Sequence, residues 1–238
     1  AIIQTALSWS DKTEGSFNIL IGAVMDCWGF GSAHPQVPSA QRITEALNKT
    51  DYHKIVLNAE QSTVFLPEQG MVLDLGGIAK GYATDKAVAA LKGLGLDNAL
   101  INAGGNVYAL GNKAPGIPWK VGVQDPQNPQ GIAAVLKTSD AALVSSGDYQ
   151  RYFEFEGVRY HHIIDPVTGY PARASAGTTV IMQSATAADI LSTALFVIGP
   201  VKGIELAENI KEVGAAMIIT QDGGRFGTNS LPDYLIEP

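Results

Sequence analysis

Helical and extended patterns of residues are interleaved along this chain, and turns rich in Gly, Pro, Asn and Asp separate them. One helical pattern is regular, because Ala79, Ala83, Ala87 and Leu91 recur every four residues and give a face of small residues for close packing. The predicted helices are residues 39–48, 78–92, 187–198 and 200–212. The predicted strands are residues 54–58, 63–66, 71–75, 98–103, 107–110, 120–123, 133–138, 141–145, 152–155, 158–164, 177–182 and 215–220.

Short turns link several of the predicted strands. They are PEQG at 67–70, TSDA at 138–141 and EFEG at 154–157. Connections this short join antiparallel strands, so each of them predicts a hairpin. Hairpins grouped between a few helices indicate an α+β fold, with antiparallel β-sheets flanked by helices, rather than a doubly wound sheet. No internal repeat or long linker divides the sequence, so residues 1–238 are predicted to form a single domain.

Composition and charge exclude several classes of protein. The 238 residues carry a formal net charge of −7 and contain no basic run, which excludes a general nucleic-acid binder. One small phosphorylated ligand would need only a local site, so that class stays open. Cys27 is the single cysteine, which excludes an internal disulfide and a cysteine zinc cluster. No apolar run reaches the roughly 18 residues of a membrane-spanning helix.

The first polar cluster lies in LDLGGIAKGYATDKAVAALKGLG, residues 73–95. Asp74 comes near the end of a predicted strand, Gly76 and Gly77 form a bend, and Lys80 lies one turn into the predicted helix. Glycines let the backbone approach a ligand closely, and free amides at a helix start attract anions. Lys80 is therefore a candidate phosphate contact, and Asp74 a candidate acceptor for ligand hydroxyl or N–H groups. The alternative is a capping Asp, a solvated Lys and glycines for packing, since the spacing matches neither a Walker loop nor GxGxxG.

The second cluster is VRYHHIIDPVTGYPA, residues 158–172. On an extended strand His162 shares a face with Tyr160, whereas His161 points to the other side. The Asp-Pro pair that follows opens a turn, so His162 is delivered beside a rigid element, which suits proton transfer or a phosphate contact. A half-buried pair of histidines is the alternative. A zinc site is not favoured, because adjacent histidines face opposite sides.

The third cluster lies in the apolar segment SATAADILSTALFVIGP. Between Arg173 and Lys202 the only formally charged residue is Asp189, and burying a lone carboxylate is costly unless it has a partner. Helical geometry places Ser192 and Thr193 on the same side of the helix as Asp189. A carboxylate with hydroxyl oxygens suits Mg²⁺. The alternative is that Asp189 caps a neighbouring element while Thr193 bonds back to its own helix.

Three shorter motifs carry weaker signals. DCWGFG at 26–31 sets two aromatic rings among glycines, which could frame a flat ligand ring or form a core aromatic cluster. NAGGNVYALG at 102–111 and VSSGDYQRY at 144–152 are strand-end turns whose amides could face a ligand. Ser145 and Ser146 lack the strand–elbow–helix context of a hydrolase nucleophile, so no serine triad is predicted.

In their order and approximate spacing, these motifs resemble those of the FAD:protein FMN transferases, the ApbE-like flavin transferases. The resemblance runs from about Phe17 to Thr220 and is most specific in GIAKG and HHIIDPVTG. It implies an α+β fold around antiparallel sheets, with FAD bound in a cleft. It implies a divalent ion, expected to be Mg²⁺, held by the backbone oxygen of Gly77 together with Asp189 and Thr193, with Ser192 as a candidate further ligand. The FAD contacts that it implies are Trp28, Gly29, Phe30, Asp74, Lys80, Asn102, Gly104, Gly105, Ser146, His162 and Ile163.

The implied reaction moves FMN from FAD to a threonine hydroxyl of a partner protein and releases AMP. The expected partner is an acceptor flavoprotein subunit of a redox complex, and no nucleic-acid partner is expected. His162 is the candidate base that removes the hydroxyl proton. If water attacks instead, the chain is a metal-dependent FAD pyrophosphatase that yields FMN and AMP. If nothing attacks, it is a non-catalytic FAD-binding protein.

Two features depart from the family pattern. The family normally begins with a further strand and helix that contribute contacts to FAD, and this chain is expected to start inside or after that unit. The family is also usually exported and often lipid-anchored near its N-terminus, and AIIQTALSWSDKTEGSF shows no such segment. An extracytoplasmic, membrane-associated location, anchored through a segment absent from this chain, is therefore expected from the resemblance alone.

Overall fold

The computed structural model describes residues 1–30, 32–128 and 130–236. Its helices are α1 (Ile2–Lys12), α2 (Gly22–Trp28), α3 (Ala40–Leu47), α4 (Ala79–Gly93), α5 (Ala185–Ile198), α6 (Pro200–Asn209) and α7 (Leu231–Tyr234), with a 3₁₀ turn at Tyr52–Lys54. Its strands are β1 (Val56–Asn58), β2 (Thr63–Phe65), β3 (Ala99–Ala103), β4 (Asn106–Leu110), β5 (Trp119–Gln124), β6 (Ile132–Thr138), β7 (Ala141–Gly147), β8 (Tyr152–Phe155), β9 (Val158–His161), β10 (Gly177–Met182), β11 (Val213–Ile219) and β12 (Arg225–Gly227).

Six strands form the central sheet, in the order β12-β11-β10-β7-β4-β3. Every neighbouring pair in this sheet is antiparallel. The pairs β1–β2, β5–β6 and β8–β9 form three separate two-stranded sheets. This mixture of helices and antiparallel sheets confirms the predicted α+β class.

The four inner strands of the central sheet, β4, β7, β10 and β11, are largely buried on both faces, which explains why they read as mostly apolar runs. Val180 and Met182 of β10 belong to the larger core, which also contains most of α5, whereas Ile181 between them belongs to a second core on the other face. The second core is covered by the β5–β6 pair and by Leu231 of α7. Helix α5 is apolar almost all round because it lies between the sheet and other helices.

The four predicted helices are present, although the last one ends at Asn209, three residues before its predicted end. Helices α1, α2 and α7 and strand β12 were not predicted. The predicted strand at 71–75 is wrong. That segment forms no strand, and it is held by hydrogen bonds from Asp74 N–H to Ile19 O (2.7 Å) and from Gly22 N–H to Val72 O (3.2 Å).

One of the three predicted hairpins is confirmed. At EFEG, β8 and β9 pair so that Phe155 lies opposite Val158, and Glu156 and Gly157 both have positive φ (51° and 75°), as a tight hairpin turn requires. The hairpin at TSDA is wrong, because β6 pairs with β5 while β7 joins the central sheet between β4 and β10. The hairpin at PEQG is wrong because its second strand does not form.

Candidate active site

A cleft of about 800 Å³ lies where the segment before α4, the start of α5 and several strand-end turns meet. Most residues that the sequence analysis selected line this cleft, although they are spread over 120 positions of the chain. The structure therefore brings three of the polar motifs together. The selected residues that line it are Asp74, Gly77, Lys80, Gly104, Gly105, Ser146, His162, Ile163, Asp189 and Thr193.

The Asp189 carboxylate joins α5 to the first turn of α4. Its side chain is 2% exposed, and Oδ2 accepts a hydrogen bond of 2.9 Å from the Gly81 N–H. That amide is one of the donors that a helix start leaves without an intrahelical partner. A Cβ atom on Gly81 would lie 2.3 Å from Ala185 O, so only glycine allows the two helices to come this close. Asp189 is thus a helix-capping residue that also lines the cleft.

Two hydroxyls follow Asp189 on the same side of α5, but only one reaches the cleft. Ser192 Oγ and Thr193 Oγ1 both donate to Asp189 O, at 2.9 and 3.2 Å. Ser192 is fully buried, and its oxygen also lies 2.9 Å from Ser146 Oγ. Because the single Ser192 hydroxyl proton goes to Asp189 O, Ser146 is the donor in that contact. The structure therefore does not bring Ser192 to the cleft, and a ligand role for it stays a prediction that the packing does not support.

Gly77 lies directly beside Thr193. A Cβ atom on Gly77 would come within 3.3 Å of Thr193 Oγ1 and 3.0 Å of the Phe17 ring, so glycine keeps this corner of the cleft open. Asp189, Thr193 and the Gly77 backbone supply only oxygen donors. Residues 1–30, 32–128 and 130–236 contain no group of three His, Cys, Asp or Glu side chains that could hold a metal ion. An oxygen-only donor set of this kind fits a hard cation.

Asp85, which the sequence analysis did not select, holds the N-terminus of α5. Its carboxylate accepts hydrogen bonds from the backbone N–H groups of Ala185 (2.8 Å) and Thr186 (2.9 Å). It also accepts from the hydroxyls of Ser184 (3.0 Å) and Thr186 (2.6 Å). Each of the two helices thus supplies a carboxylate that binds the N-terminus of the other. The only sequence signal is the position of Asp85 one turn after Lys80 in the first motif.

Asp74 and Lys80 frame the bend that enters α4. Asp74 Oδ1 accepts a hydrogen bond of 2.6 Å from the Gly76 N–H, which tightens the bend. A Cβ atom on Gly104 would lie 3.8 Å from Lys80 Cδ, so the Lys80 stem runs along the glycine turn between β3 and β4. Asn102 does not line the cleft; its Oδ1 accepts from the Gly105 N–H (2.9 Å) and orients that turn.

His162 follows directly after β9 and lines the cleft. Its Nδ1 lies 3.2 Å from Arg151 O, and its backbone N–H donates to the same oxygen at 3.1 Å. Burial lowers the pKa of His162 to about 4, and the positive charges of Arg151 and Lys80 act in the same direction. The imidazole is therefore neutral near pH 7. Because a carbonyl can only accept, Nδ1 carries the proton and Nε2 is left as a proton acceptor.

The adjacent His161 has a different environment. It is 1% exposed, its Nε2 lies 2.8 Å from Ala172 O, and its Nδ1 accepts from the Ile163 N–H at 3.3 Å. The ring also meets Phe196 edge to face, with centroids 5.4 Å apart. Burial lowers the pKa of His161 to about 4. With both nitrogens used by the protein, His161 is a structural residue, as the opposite-face geometry suggested.

The motifs and the fold both match one protein family. A family profile described as ApbE family matches residues 1–218. The chain belongs to the ApbE family. An FAD:protein FMN transferase of Treponema pallidum is 40% identical over 233 residues, which cover 92% of this chain and 64% of the relative. An FAD:protein FMN transferase of Escherichia coli K12 is 32% identical over 241 residues, covering 98% of this chain and 68% of the relative.

Solved structures of ApbE proteins share the fold. The ApbE protein of Thermotoga maritima superposes with a TM-score of 0.92 at 35% identity, covering 99% of this chain and 77% of that chain. The flavin transferase ApbE of Vibrio cholerae gives a TM-score of 0.85 at 28% identity, covering 98% and 75%. The chain thus spans about two thirds of the length of the curated relatives and about three quarters of these solved chains. Within its described residues, none of its helices is long and apolar enough to cross a bilayer.

The aromatic motif of this ApbE-family chain belongs to a hydrophobic cluster that adjoins the cleft through Ile21, Met25 and Ile164. Trp28 is fully buried, and its Nε1–H donates to Gly169 O at 2.9 Å. Phe30 stacks on it with ring centroids 6.0 Å apart, and Gly29 ends α2 with a positive φ of 68°. None of Trp28, Gly29 and Phe30 lines the cleft. This region therefore forms the core aromatic cluster that the sequence analysis gave as one of two alternatives. FAD contacts from Trp28, Gly29 and Phe30 stay predictions that the packing does not support.

Sequence reasoning selected no residue from the loop after α1 or from the turn after β7, although both line the cleft. The turn carried a signal, since VSSGDYQRY was identified as a strand-end turn. The loop carried no such signal, because none of the motifs identified in the sequence includes it. The residues missed include Ser16, Phe17, Asn18, Tyr149, Gln150 and Arg151.

Proposed function

We propose that this ApbE-family chain transfers FMN from FAD to a threonine hydroxyl of a partner protein and releases AMP, with Mg²⁺ as the metal. One observation carries the proposal: the carboxylate of Asp189 and the hydroxyl of Thr193 line the same cleft as Lys80 and His162. Phosphoryl transfer needs oxygen ligands for a cation, a positive charge for the phosphates and a proton acceptor in one place. The names of the curated relatives support the same reaction class.

The oxygen donors beside α5 fit a magnesium ion. Asp189 supplies the negative charge, and Thr193 Oγ1 keeps its lone pairs because its proton is donated to Asp189 O. Gly77 has no side chain between its backbone and that hydroxyl. Mg²⁺ is usually bound by one or two carboxylates together with substrate phosphates. When bound, the ion would neutralise phosphate charge and stabilise the AMP leaving group.

Other residues of the cleft would bind the ligand and accept the proton. Lys80 would bind phosphate oxygens, and the amides of the Gly104-Gly105 turn would lie against the dinucleotide. Asp74 would accept hydrogen bonds from the ligand. His162 would take the threonine proton at Nε2, because Nδ1 is already bonded to Arg151 O and the ring is neutral near pH 7.

Incubation with FAD, Mg²⁺ and a pool of heptapeptides with a central threonine tests the reaction. We expect AMP together with flavin attached to peptide, measured by chromatography and mass spectrometry. AMP with free FMN, whether or not peptide is present, would identify an FAD pyrophosphatase instead. Intact FAD bound to the protein would identify a non-catalytic FAD-binding protein.

The Asp189→Asn variant tests the metal assignment. The amide oxygen can still accept from the Gly81 N–H, so the fold should persist, and the melting temperature should stay equal or rise because a buried charge is removed. Mg²⁺-dependent AMP release should fall on the order of 10²-fold. The matched control is Asp97→Asn, at an exposed aspartate, which should change neither quantity. Wild-type turnover of Asp189→Asn across a Mg²⁺ titration would show that the ligand assignment is wrong.

The partner and the location follow from the resemblance and stay predictions. The acceptor is expected to be a flavoprotein subunit of a redox complex, and the reaction is expected outside the cytoplasm, at a membrane. Flavin-labelled proteins of the source cell, separated into cytoplasmic and membrane fractions, would test both. Labelling restricted to cytoplasmic proteins would contradict them.

A further inference from the structure

Arg151 is the residue that lies opposite His162 across the β8–β9 hairpin. The last register pair of the hairpin joins Tyr152 to His161. Arg151 and His162 come next on the two sides, and the His162 N–H donates to Arg151 O at 3.1 Å, so the antiparallel register continues to this pair. Opposed residues of an antiparallel pair direct their side chains to the same face, with Cβ atoms about 4.5–5.5 Å apart. The Arg151 side chain therefore leaves the backbone on the same face as the imidazole of His162.

The Arg151 guanidinium has no partner of its own within the part of the chain that the structure describes. Arg151 is exposed and lines the cleft. Among the described residues, its side chain makes no hydrogen bond, ion pair or contact with an aromatic ring. Its positive charge acts on His162 and, with that of Lys80, lowers the pKa of the imidazole. An unpaired arginine is ordinary on a protein surface, but this one lies beside the proton acceptor of the proposed reaction.

The balance of charge in the cleft favours an anionic ligand for Arg151. The formally charged side chains that line the cleft are, among the described residues, Asp74, Asp189, Lys80 and Arg151. Two are negative and two are positive, so they cancel, and a bound Mg²⁺ ion would then balance the two negative charges of the FAD diphosphate. Without Arg151, one negative charge of that ligand would have no counterpart in the cleft.

We propose that Arg151 is a catalytic residue of the transfer, and that its guanidinium binds two oxygen atoms of the FMN phosphoryl group in the transition state. The threonine oxygen forms a bond to the FMN phosphorus, and the threonine proton goes to His162 Nε2. The bond from that phosphorus to the AMP phosphate oxygen breaks, and AMP leaves with the electron pair. The inference rests on the proposed transferase function, because it requires the diphosphate of FAD in the cleft.

The chemistry of phosphoryl transfer suits an arginine at this position. Negative charge is spread over the oxygens of the transferred group in the transition state, and fixed positive groups beside it supply most of the catalysis. A planar guanidinium donates two parallel hydrogen bonds to a phosphoryl group, which the single ammonium of a lysine cannot do. His162 must contact the attacking hydroxyl to accept its proton, so a long side chain on the same face would reach the phosphorus that this hydroxyl attacks.

Arg151→Met tests this role, because it removes the guanidinium while the backbone carbonyl that holds His162 stays. With FAD, Mg²⁺ and the most heavily labelled peptide of the threonine pool, kcat for AMP release should fall about 10²-fold. The KM for the peptide should stay the same, since losing an interaction made only in the transition state lowers kcat and kcat/KM equally. Arg151→Lys keeps the charge without the planar group, so its kcat should stay about tenfold below that of wild type.

A measurement without FAD or metal tests where the guanidinium lies. Removing a positive charge beside His162 should raise the pKa of the imidazole in Arg151→Met, followed by NMR of the ring during a pH titration. Arg159→Met is the matched control, because it removes the same charge from the same hairpin. Arg159 lies 4.2 Å from the Tyr152 ring centroid and 3.8 Å from the Glu154 carboxylate, and it does not line the cleft. Arg159→Met should change neither kcat nor the pKa of His162.

The outcomes separate this assignment from the transferase proposal. If Arg151→Met raises the KM for the peptide and keeps the wild-type kcat, Arg151 binds the acceptor polypeptide and the catalytic assignment is wrong. Wild-type kcat and KM in Arg151→Met, or an unchanged pKa of His162, would also overturn the assignment, while the transferase would stand. If the wild-type chain labels no peptide, the transferase proposal fails and the assignment of Arg151 fails with it.

Discussion

Two walls of the cleft are built in different ways. The helix wall, made of the start of α4 and the first half of α5, is held by two carboxylates that each bind the N-terminus of the other helix. The turn wall, residues 149–151 and 162–166, has no helix in it, and His162 is held there by the Arg151 carbonyl. The helix wall would hold the part of the ligand that never varies, the diphosphate and its cation. In the proposed reaction the turn wall would meet the acceptor, because it contains His162.

The two walls should also differ in how well they tolerate substitutions. Gly81 lies in the helix wall with no room for a Cβ atom, so a larger residue at this position must move α4 away from α5. In the turn wall, Gln150 and Arg151 are exposed, so changes at these two residues should act locally. Predictions that separate stability from binding can therefore test the comparison.

The largest expected effect comes from Gly81→Ala. The new methyl group would meet Ala185 O at 2.3 Å, so α4 and α5 must move apart, and the free energy of unfolding should fall by about 3 kcal/mol or more. Gly93→Ala, at the other end of the same helix, is the matched control: nothing lies within 4 Å of its new methyl group. That variant should be stabilised by about 0.5–1 kcal/mol through helix propensity. Chemical denaturation of both variants measures the contrast, and equal effects would contradict close helix contact.

Mild acid should weaken the fold through His161, whose ring packs beside the turn wall. Its pKa is about 4 in the native state and about 6.5 when unfolded, so below pH 6.5 the unfolded chain binds more protons. The free energy of unfolding should therefore fall by about 3 kcal/mol between pH 6.5 and pH 4 because of this residue. The His161→Leu variant should be less stable than wild type at pH 7, but its free energy of unfolding should change less with pH. His53→Gln, at an exposed histidine, should keep the wild-type slope. An unchanged slope in His161→Leu would place the acid sensitivity elsewhere.

A smaller effect is expected for Asp85→Ala. It removes the acceptor for two backbone N–H groups at the start of α5 and should lower the free energy of unfolding by about 2 kcal/mol. Asp85→Asn keeps an acceptor oxygen, so it should lower the free energy of unfolding by about half as much. If Mg²⁺ binds at Asp189 and Thr193 as proposed, the rise in melting temperature expected on adding Mg²⁺ should be smaller in Asp85→Ala, because both residues lie on α5. If Asp85→Ala is destabilised but its melting temperature still rises with Mg²⁺ as much as that of wild type, then Asp85 stabilises α5 without positioning the metal-binding residues.

The sequence identified residues that line the cleft more accurately than it identified what each of them does there. Asp189 was found because a lone charge in an apolar helix is anomalous, and the structure shows that it also caps α4, the alternative that the same anomaly allowed. Asp85 was missed because one acidic residue among exposed helical positions is not anomalous. Trp28 was expected beside the ligand, yet sequence spacing cannot distinguish a ring that frames a pocket from one that fills a core.

By itself, the sequence determined the α+β class, the positions of the strongly periodic helices, the hairpin at EFEG and the membership of the ApbE family. These properties depend on local backbone preference, on which residues are apolar, and on short motifs, all of which can be read along the chain. Only the tertiary structure decided that β7 lies between β4 and β10, that Ser192 is buried and that Asp85 and Asp189 bind across two helices. Strand pairing and side-chain convergence join residues up to 141 positions apart, and their free energy depends on packing that no local pattern encodes.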